Sequence, residues 1–305
     1  MGRLYAIADL HLGFAFNRDA WQKLLPHPND GLILAGDIGE KMEHLRAAFS
    51  LATQQFKQVF WVPGNHELYT LPAAGEDAAS GPRSNPDART GEEKYEACVS
   101  LAQEYGIITP EDEYVTWDDG QGGQALICPI FTLYDYSFRP PEVTREKALE
   151  WAMEENIQAS DEALLHPSPY PSRDAWCDVL VQKTEARLEK ASGDSGLPLV
   201  IINHWPLRED LVYIPLVPRF SLWCGTKRTE DWHTRFNAKV VVTGHLHVRR
   251  TDWKDETRFE EVSLGYPRQW EAARDLGKSV NEMLREILPG PKKPDRPHTV
   301  WKRYG

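Results

Sequence analysis

Val62-Pro63-Gly64-Asn65-His66-Glu67 closes the apolar run Val59-Phe60-Trp61-Val62 with a turn, then sets out an amide, an imidazole and a carboxylate. Gly64 lets the chain turn where a side chain would block it. Asn65 offers a neutral oxygen to a cation, His66 can carry a proton, and Glu67 can orient a neighbour. One such stretch decides little. Four more segments repeat the design of a β-like run ending in metal-binding residue types: Ala8-Asp9-Leu10-His11, Ala35-Gly36-Asp37, Ile202-Asn203-His204 and Thr243-Gly244-His245-Leu246-His247. Five of the ten histidines, His11, His66, His204, His245 and His247, therefore follow such runs directly. A single histidine in that place is more often a hydrogen-bonded structural residue, but scattered structural histidines do not share one placement.

The order of elements around these stretches points to an α/β fold. Leu4 to Ala8 reads as a buried first strand, with Asp9 and His11 on one side of it if the extended conformation persists. A helix over Arg18 to Leu25, a strand over Leu32 to Ala35, a helix over Met42 to Ala52 and the strand over Val59 to Val62 follow. This β-α-β-α-β order favours parallel strands with functional loops at their carboxyl ends. Further on, the patterns predict a helix over Glu92 to Tyr105 and a hairpin of Tyr114 to Trp117 with Gln124 to Ile127. A helical region from Pro141 to Leu165, a helix over Asp174 to Lys190 and a strand over Leu197 to Ile202 come next. Then follow a short helix over Glu230 to Phe236, a strand over Val240 to Thr243, and a hairpin of Val248 to Trp253 with Arg258 to Val262. The aromatic-dense stretch from Phe131 to Pro140 either covers the site or packs as a corner.

The whole chain, 1–305, reads as a single domain, with a flexible insertion at 71–90 and a C-terminal extension at 265–305 that carries a helix around Asn281 to Ile287. The insertion directly follows His66, so it can be a lid; a solvated surface loop is the preferred reading. At 305 residues with a 41% hydrophobic fraction the chain can bury a substantial core. Its formal net charge of −11 argues against a sequence-independent grip on nucleic acid, which depends on lysine and arginine. Cys98, Cys128, Cys177 and Cys224 lie far apart, without a Cys-x-x-Cys pair, and read as reduced thiols. No signal-peptide core is visible, and no stretch approaches the roughly 20 apolar residues of a membrane span, so a soluble cytoplasmic protein is expected.

Mixed imidazole and carboxylate donors suit manganese, iron or zinc, and the absence of a cysteine cluster argues against a thiolate site. Two divalent ions repel each other, so a carboxylate between them is needed to hold the pair. Together they bring the pKa of a bound water from about 16 towards about 7, which gives a hydroxide nucleophile for phosphoryl transfer to water.

At this point Asp9-x-His11, Gly36-Asp37, Gly64-Asn65-His66-Glu67, Asn203-His204 and Gly244-His245-x-His247 resemble, in order, the blocks of the calcineurin-like metallophosphoesterase superfamily. The resemblance implies a four-layer α/β/β/α sandwich with mixed sheets and two divalent metal ions. It further implies that Asp9, His11 and His247 hold one ion and Asn65, His204 and His245 the other. Asp37 would bridge them, His66 would act on the transition state or leaving oxygen, and Glu67 would orient His66. The activity implied is hydrolysis of a phosphomonoester or phosphodiester by a metal-bridging hydroxide.

Two departures narrow the subfamily. Gly36-Asp37-Ile38-Gly39-Glu40-Lys41 lacks the Asp-Arg-Gly continuation of the protein serine/threonine phosphatases, and His66 stands where the lipid A precursor hydrolases carry arginine. The expected substrate is a small or medium phosphorylated molecule, with Arg139, Arg208, Arg219 and Tyr213 as candidate contacts. Two alternatives are a metal-dependent nuclease, to which Asp9-Leu10-His11-Leu12-Gly13 has a likeness, and a non-catalytic scaffold on the same fold. The complete ligand set and His66 speak against the scaffold.

Overall fold

Alternation of apolar residues along the strands builds two facing sheets. The computed structural model describes residues 2–71, 86–121, 123–295 and 299–301, and most of the insertion expected at 71–90 lies outside them. Strands β1 (Leu4–Ile7), β2 (His27–Leu34) and β3 (Phe56–Trp61) run parallel. β4 (Val115–Asp118) and β5 (Gln124–Pro129) form the expected antiparallel hairpin. β6 (Leu199–Ile202) and β7 (Ala238–Thr243) follow, and then the second hairpin, β8 (Arg250–Lys254) with β9 (Thr257–Glu261). β10 (Arg285–Leu288) and β11 (Val300–Trp301) complete the strands among the described residues. The sheets are ordered β10-β1-β2-β3 and β11-β8-β9-β7-β6-β5-β4. Both are mixed: β10 lies antiparallel to β1, whereas β5, β6, β7 and β9 are parallel.

Successive residues on each strand face opposite ways, so each strand feeds two cores. Ala6, Ile33, Ala35, Phe60 and Val62 of the first sheet meet Ile127, Val200, Ile202, Val240 and Val242 of the second in a dry layer between the sheets. Their neighbours Ile7, Leu32, Leu34, Val59 and Trp61 point outward and pack with Leu45, Ala48, Phe49 and Ala52 of the helix Met42–Gln55. On the far side, Leu126, Cys128, Leu199 and Ile201 share a core with Trp176, Cys177, Leu180 and Val181 of the helix Arg173–Ser195. Each large apolar side chain buried this way contributes about 1.5–3 kcal/mol. The result is the α/β/β/α sandwich.

Several local readings change. The helical region expected over 141–165 is broken into Ala148–Met153 and Asp161–Leu164. The aromatic stretch from Phe131 is a packed corner, with Phe131, Tyr134, Tyr136 and Phe138 all buried. The helix expected over 281–287 shrinks to Val280–Met283, and the next residues are β10, hydrogen-bonded along β1. The stretch from Gly265 therefore supplies an edge strand to each sheet and an unanticipated helix, Pro267–Asp275.

At one end the two sheets are sewn together. Beyond β1, the Ala8 N–H donates to the Val262 carbonyl at 3.2 Å, and the Leu264 N–H donates back to Ala8 at 2.8 Å. That seam brings the carboxyl ends of strands from both sheets to one place.

Candidate metal centre and active cleft

Asp9 follows β1, Asp37 follows β2, Asn65 and His66 follow β3, His204 follows β6, and His245 and His247 follow β7. Carboxyl ends of parallel strands thus deliver every expected ligand to one rim. The extended Asp9-x-His11 geometry is not what places them. Asp9, His11, Asp37, His245 and His247 have φ values of 54°, 44°, 54°, 73° and 55°, in the left-handed region that non-glycine residues enter at a cost of about 1–3 kcal/mol each. The surrounding loops hold them there, because the Asp9 N–H bonds Gly36 at 2.9 Å and the His11 N–H bonds Asp37 at 3.0 Å. Two glycines leave the necessary room. A Cβ on Gly36, itself at φ +88°, would lie 2.6 Å from His204 Nδ1, and one on Gly64 would overlap the Asp37 carboxylate.

The donor atoms converge. Asp9 Oδ1 lies 2.8 Å from His247 Nε2, which lies 3.2 Å from His11 Nε2. Asp37 Oδ2 lies 3.5 Å from His204 Nε2 and 3.8 Å from His66 Nε2, and Asn65 Oδ1 faces His245 Nδ1 at 3.2 Å. His204 gives its Nδ1 proton to the Ala35 carbonyl at 2.9 Å and His247 gives its own to Gln269 Oε1 at 2.7 Å, so each turns Nε2 inward, where a bound cation would take the place of a proton. Ser263 donates to the other oxygen of Asp9 at 2.7 Å.

Positive charge on neighbouring imidazoles holds the buried carboxylates ionised. Burial pushes the Asp9 carboxyl up, but the charge and hydrogen bond of His247 outweigh it and hold it at about 2. Burial likewise opposes ionisation of Asp37, yet His204 and His66 pull it well below the carboxylate range. His204, buried but facing Asp37, is raised to about 10. Burial holds His11 and His245 down at about 3, in the neutral form a ligand needs. Carboxylates that stay ionised while buried require positive charge beside them; His204, His66 and His247 supply it here, and divalent ions would supply it while also using the neutral lone pairs of His11 and His245. The donor set fits divalent metal ions. Asp9, His11, Asp37 and His247 already place one donor atom each within 4.8 Å of one another.

His66 stands beside this cluster, its Nδ1 held by Glu40 Oε1 at 2.8 Å. Burial lowers its basicity, but Asp37 and Glu40 raise it to about 9. Glu67, expected to orient His66, does not touch it. Its buried carboxylate instead accepts the backbone N–H groups of Asp37, Ile38 and Gly64 at 2.9, 2.6 and 2.8 Å, tying the second and third loops together. Glu40 has the orienting place, and it lies three residues after Asp37 in a block that the sequence reading had already singled out.

A cleft of about 410 Å³ opens over Asp37, Asn65, His66, His245 and His247, walled by Tyr69, Gln158, Ala159, Ser160, Asp161, Ile214, Val217, Phe220, Leu246, Tyr266 and Arg268. None of the four expected substrate contacts lines it. Arg139 bonds the carbonyls of Tyr136 and Val143, Arg208 pairs with Asp210 at 2.9 Å, and Arg219 pairs with Glu154 at 2.6 Å and Glu155 at 3.1 Å. Tyr213 turns its ring to Trp301 of β11, 5.5 Å away. Arg268 was missed. It lines the cleft and has no hydrogen bond or ion pair among the described residues.

The sequence matches the family of calcineurin-like phosphoesterases over residues 2–249. The chain belongs to that family. This phosphoesterase, a metal-binding hydrolase, is 43% identical over 291 residues to the acyl-carrier-protein phosphodiesterase PptH of Mycobacterium tuberculosis, a span of 95% of this chain and 84% of that protein. The crystal structure of phosphopantetheinyl hydrolase (PptH) from M. tuberculosis superposes on it with a TM-score of 0.83, covering 95% of this chain and 97% of that one. Among the described residues, no helix is long and apolar enough to cross a membrane.

Proposed function

We propose that this chain cleaves the phosphodiester joining a phosphopantetheinyl group to an acyl-carrier protein, using two divalent ions. The observation that carries the substrate is the 43% identity to PptH over 95% of the chain. Asp9, His11 and His247 would hold one ion, Asn65, His204 and His245 the other, with Asp37 between. The approach of His204 and His66 to one Asp37 oxygen at 3.5 and 3.8 Å supports that central role. Oxygen and nitrogen donors without thiolate favour manganese, iron or zinc, with manganese our first choice. Four free, buried cysteines accord with a reducing cytoplasm.

Bound divalent ions acidify a water and offset charge on the phosphoryl oxygens. The chain's own contribution is orientation and a proton. Water attacks phosphorus, the bond to the carrier's oxygen breaks, and His66, fixed through Nδ1 by Glu40, gives its Nε2 proton to the departing oxygen. Products are a carrier protein with a free hydroxyl and a phosphomonoester. Arg268 can meet phosphate charge, and Ile214, Val217, Phe220 and Leu246 offer an apolar wall to the arm. The carrier is covalently joined to the reacting group, so its body must rest at the cleft mouth. Leu216, 94% exposed and next in the chain to the cleft residue Val217, is the contact we assign to it.

Intact-mass spectrometry tests the proposal, with purified protein, a phosphopantetheinylated carrier and manganese, alongside bis-p-nitrophenyl phosphate as a small diester. The carrier should lose the whole phosphopantetheinyl mass. Leu216→Glu should raise KM for the carrier about fivefold and leave the small diester unchanged, as expected for a contact worth about 1 kcal/mol. Turnover of the small diester with an untouched carrier would end the substrate reading and leave the hydrolase standing.

A further inference from the structure

Asn65 has two ends of nearly equal shape, and only one of them can face a cation. Its amide nitrogen donates to Tyr69 Oη at 2.9 Å and to Asp161 Oδ1 at 3.0 Å, which uses both of its hydrogens. Tyr69 in turn donates its hydroxyl hydrogen to the same Asp161 oxygen at 2.7 Å, so its lone pairs are what Asn65 meets. The triangle is closed. Turning the amide over would set its oxygen against a carboxylate oxygen and a phenolic lone pair. With the nitrogen committed, Oδ1 is the end left to face His245 Nδ1.

Asp161 is 1% exposed and lies 96 residues from Asn65 in the chain. It begins the turn of helix Asp161–Leu164, in the segment that walls the cleft from Gln158 onward. Arg173, at the start of the helix Arg173–Ser195, clamps this turn by donating to the carbonyls of Asp161 and Leu165 at 2.6 and 2.9 Å and by pairing with Glu162 at 3.0 Å. The turn that carries the carboxylate is thus held from behind, and the wall of the cleft is tied to a metal-ligand position.

We propose that Asp161 is a positioning residue for the ion on the Asn65, His204 and His245 side: it fixes the Asn65 oxygen towards that ion. The inference rests on the two-ion reading given above. The role is that of an outer partner orienting a direct ligand, for which loss of the partner typically weakens metal binding about 10–100-fold.

Stepwise titration of manganese into metal-stripped full-length protein, followed by calorimetry, reads this without turnover. Asp161→Leu keeps close to the shape but removes both acceptor oxygens. It should weaken one of the two steps by about 10–100-fold and leave the other as in wild type. The unchanged step reports an intact fold. Tyr69→Phe, which keeps the carboxylate, should lower the same step by no more than about threefold, since one of the two anchors of Asn65 remains. Wild-type affinity at both steps in Asp161→Leu would overturn the proposal, as would an equal loss at both. A wild-type protein that takes up fewer than two ions would overturn the two-ion reading and this inference with it. Two ions in the wild type with an indifferent Asp161→Leu would strike the inference alone.

Discussion

Two neighbouring clusters of buried charge, the metal centre and the arginine–glutamate group around β9, have opposite characters. At the metal centre, Asp9 and Asp37 stay ionised, and imidazoles from four loops converge beneath an open cleft. Where β8 and β9 meet β10 and its flanking turns, Arg249, Arg258 and Arg285 face Glu260 and Glu261, also buried, but cations are built in. Arg258 Nε lies 3.0 Å from Glu260, and its other nitrogens donate to the carbonyls of Ile287 and Pro291. Arg285 approaches the second Glu260 oxygen at 3.5 Å, and Arg249 donates to the carbonyls of Ser263 and Met283. Burial alone therefore does not mark a functional charge. What distinguishes the first cluster is that its counter-charges are imidazoles, whose protons a metal ion can displace, and that its donor atoms turn towards a cavity.

Substitutions in each cluster should separate activity from stability. The largest effect is expected for Asp37→Asn, which removes the central carboxylate without changing its shape. Turnover of any phosphodiester should fall on the order of a thousandfold, the equivalent of several kcal/mol of lost transition-state stabilisation. Thermal melting in metal-free buffer should fall, though far less than turnover, because a carboxyl that His204 and His66 hold well below its usual range contributes stability at neutral pH. Undiminished turnover would remove the metal centre from the reaction. Arg258→Met should behave the opposite way. Taking away the cation nearest Glu260 should cost about 3–5 kcal/mol in urea unfolding while leaving kcat per folded molecule unchanged. A loss of kcat with full stability would mean that the two clusters act as one.

The same contrast explains what could be read from the chain beforehand. The ligands were legible because each closes an apolar run, and strand alternation and strand ends are local patterns. The backbone between Asp9 and His11 was not, because two consecutive loops must be zipped together before left-handed residues become affordable there. Glu67 was misread through adjacency. Next to His66 in sequence, it faces the backbone of the Asp37 loop, while Glu40, 26 residues away, reaches the ring. Arg139, Arg208 and Arg219 looked available because arginine type says nothing of partners, and each is tied to a carbonyl or a carboxylate. Arg268 and β10 were hidden in a stretch read as an extension, since pairing of β10 with β1 spans nearly the whole chain. Asp161 left no local sign at all.

Glu40→Gln gives the smallest expected effect and the finest test, because Glu40 belongs to both kinds of cluster. It is a carboxylate of the active cleft, yet it has its own cation in His66 at 2.8 Å, and it is about a quarter exposed. The amide keeps an acceptor for the His66 Nδ1 proton, so the ring should hold its orientation. What is lost is the charge that, after burial and Asp37, helps raise His66 to about 9. If His66 gives a proton to the leaving oxygen, kcat should fall about tenfold with KM unchanged, a fraction of the 10²–10⁴ that a general acid supplies. Diesters with poor leaving groups should suffer more than p-nitrophenyl esters, whose departing oxygen needs little protonation. An equal loss across leaving groups would mean that Glu40 serves the cluster as a structural partner, as Glu260 serves Arg258, and that the proton comes from elsewhere.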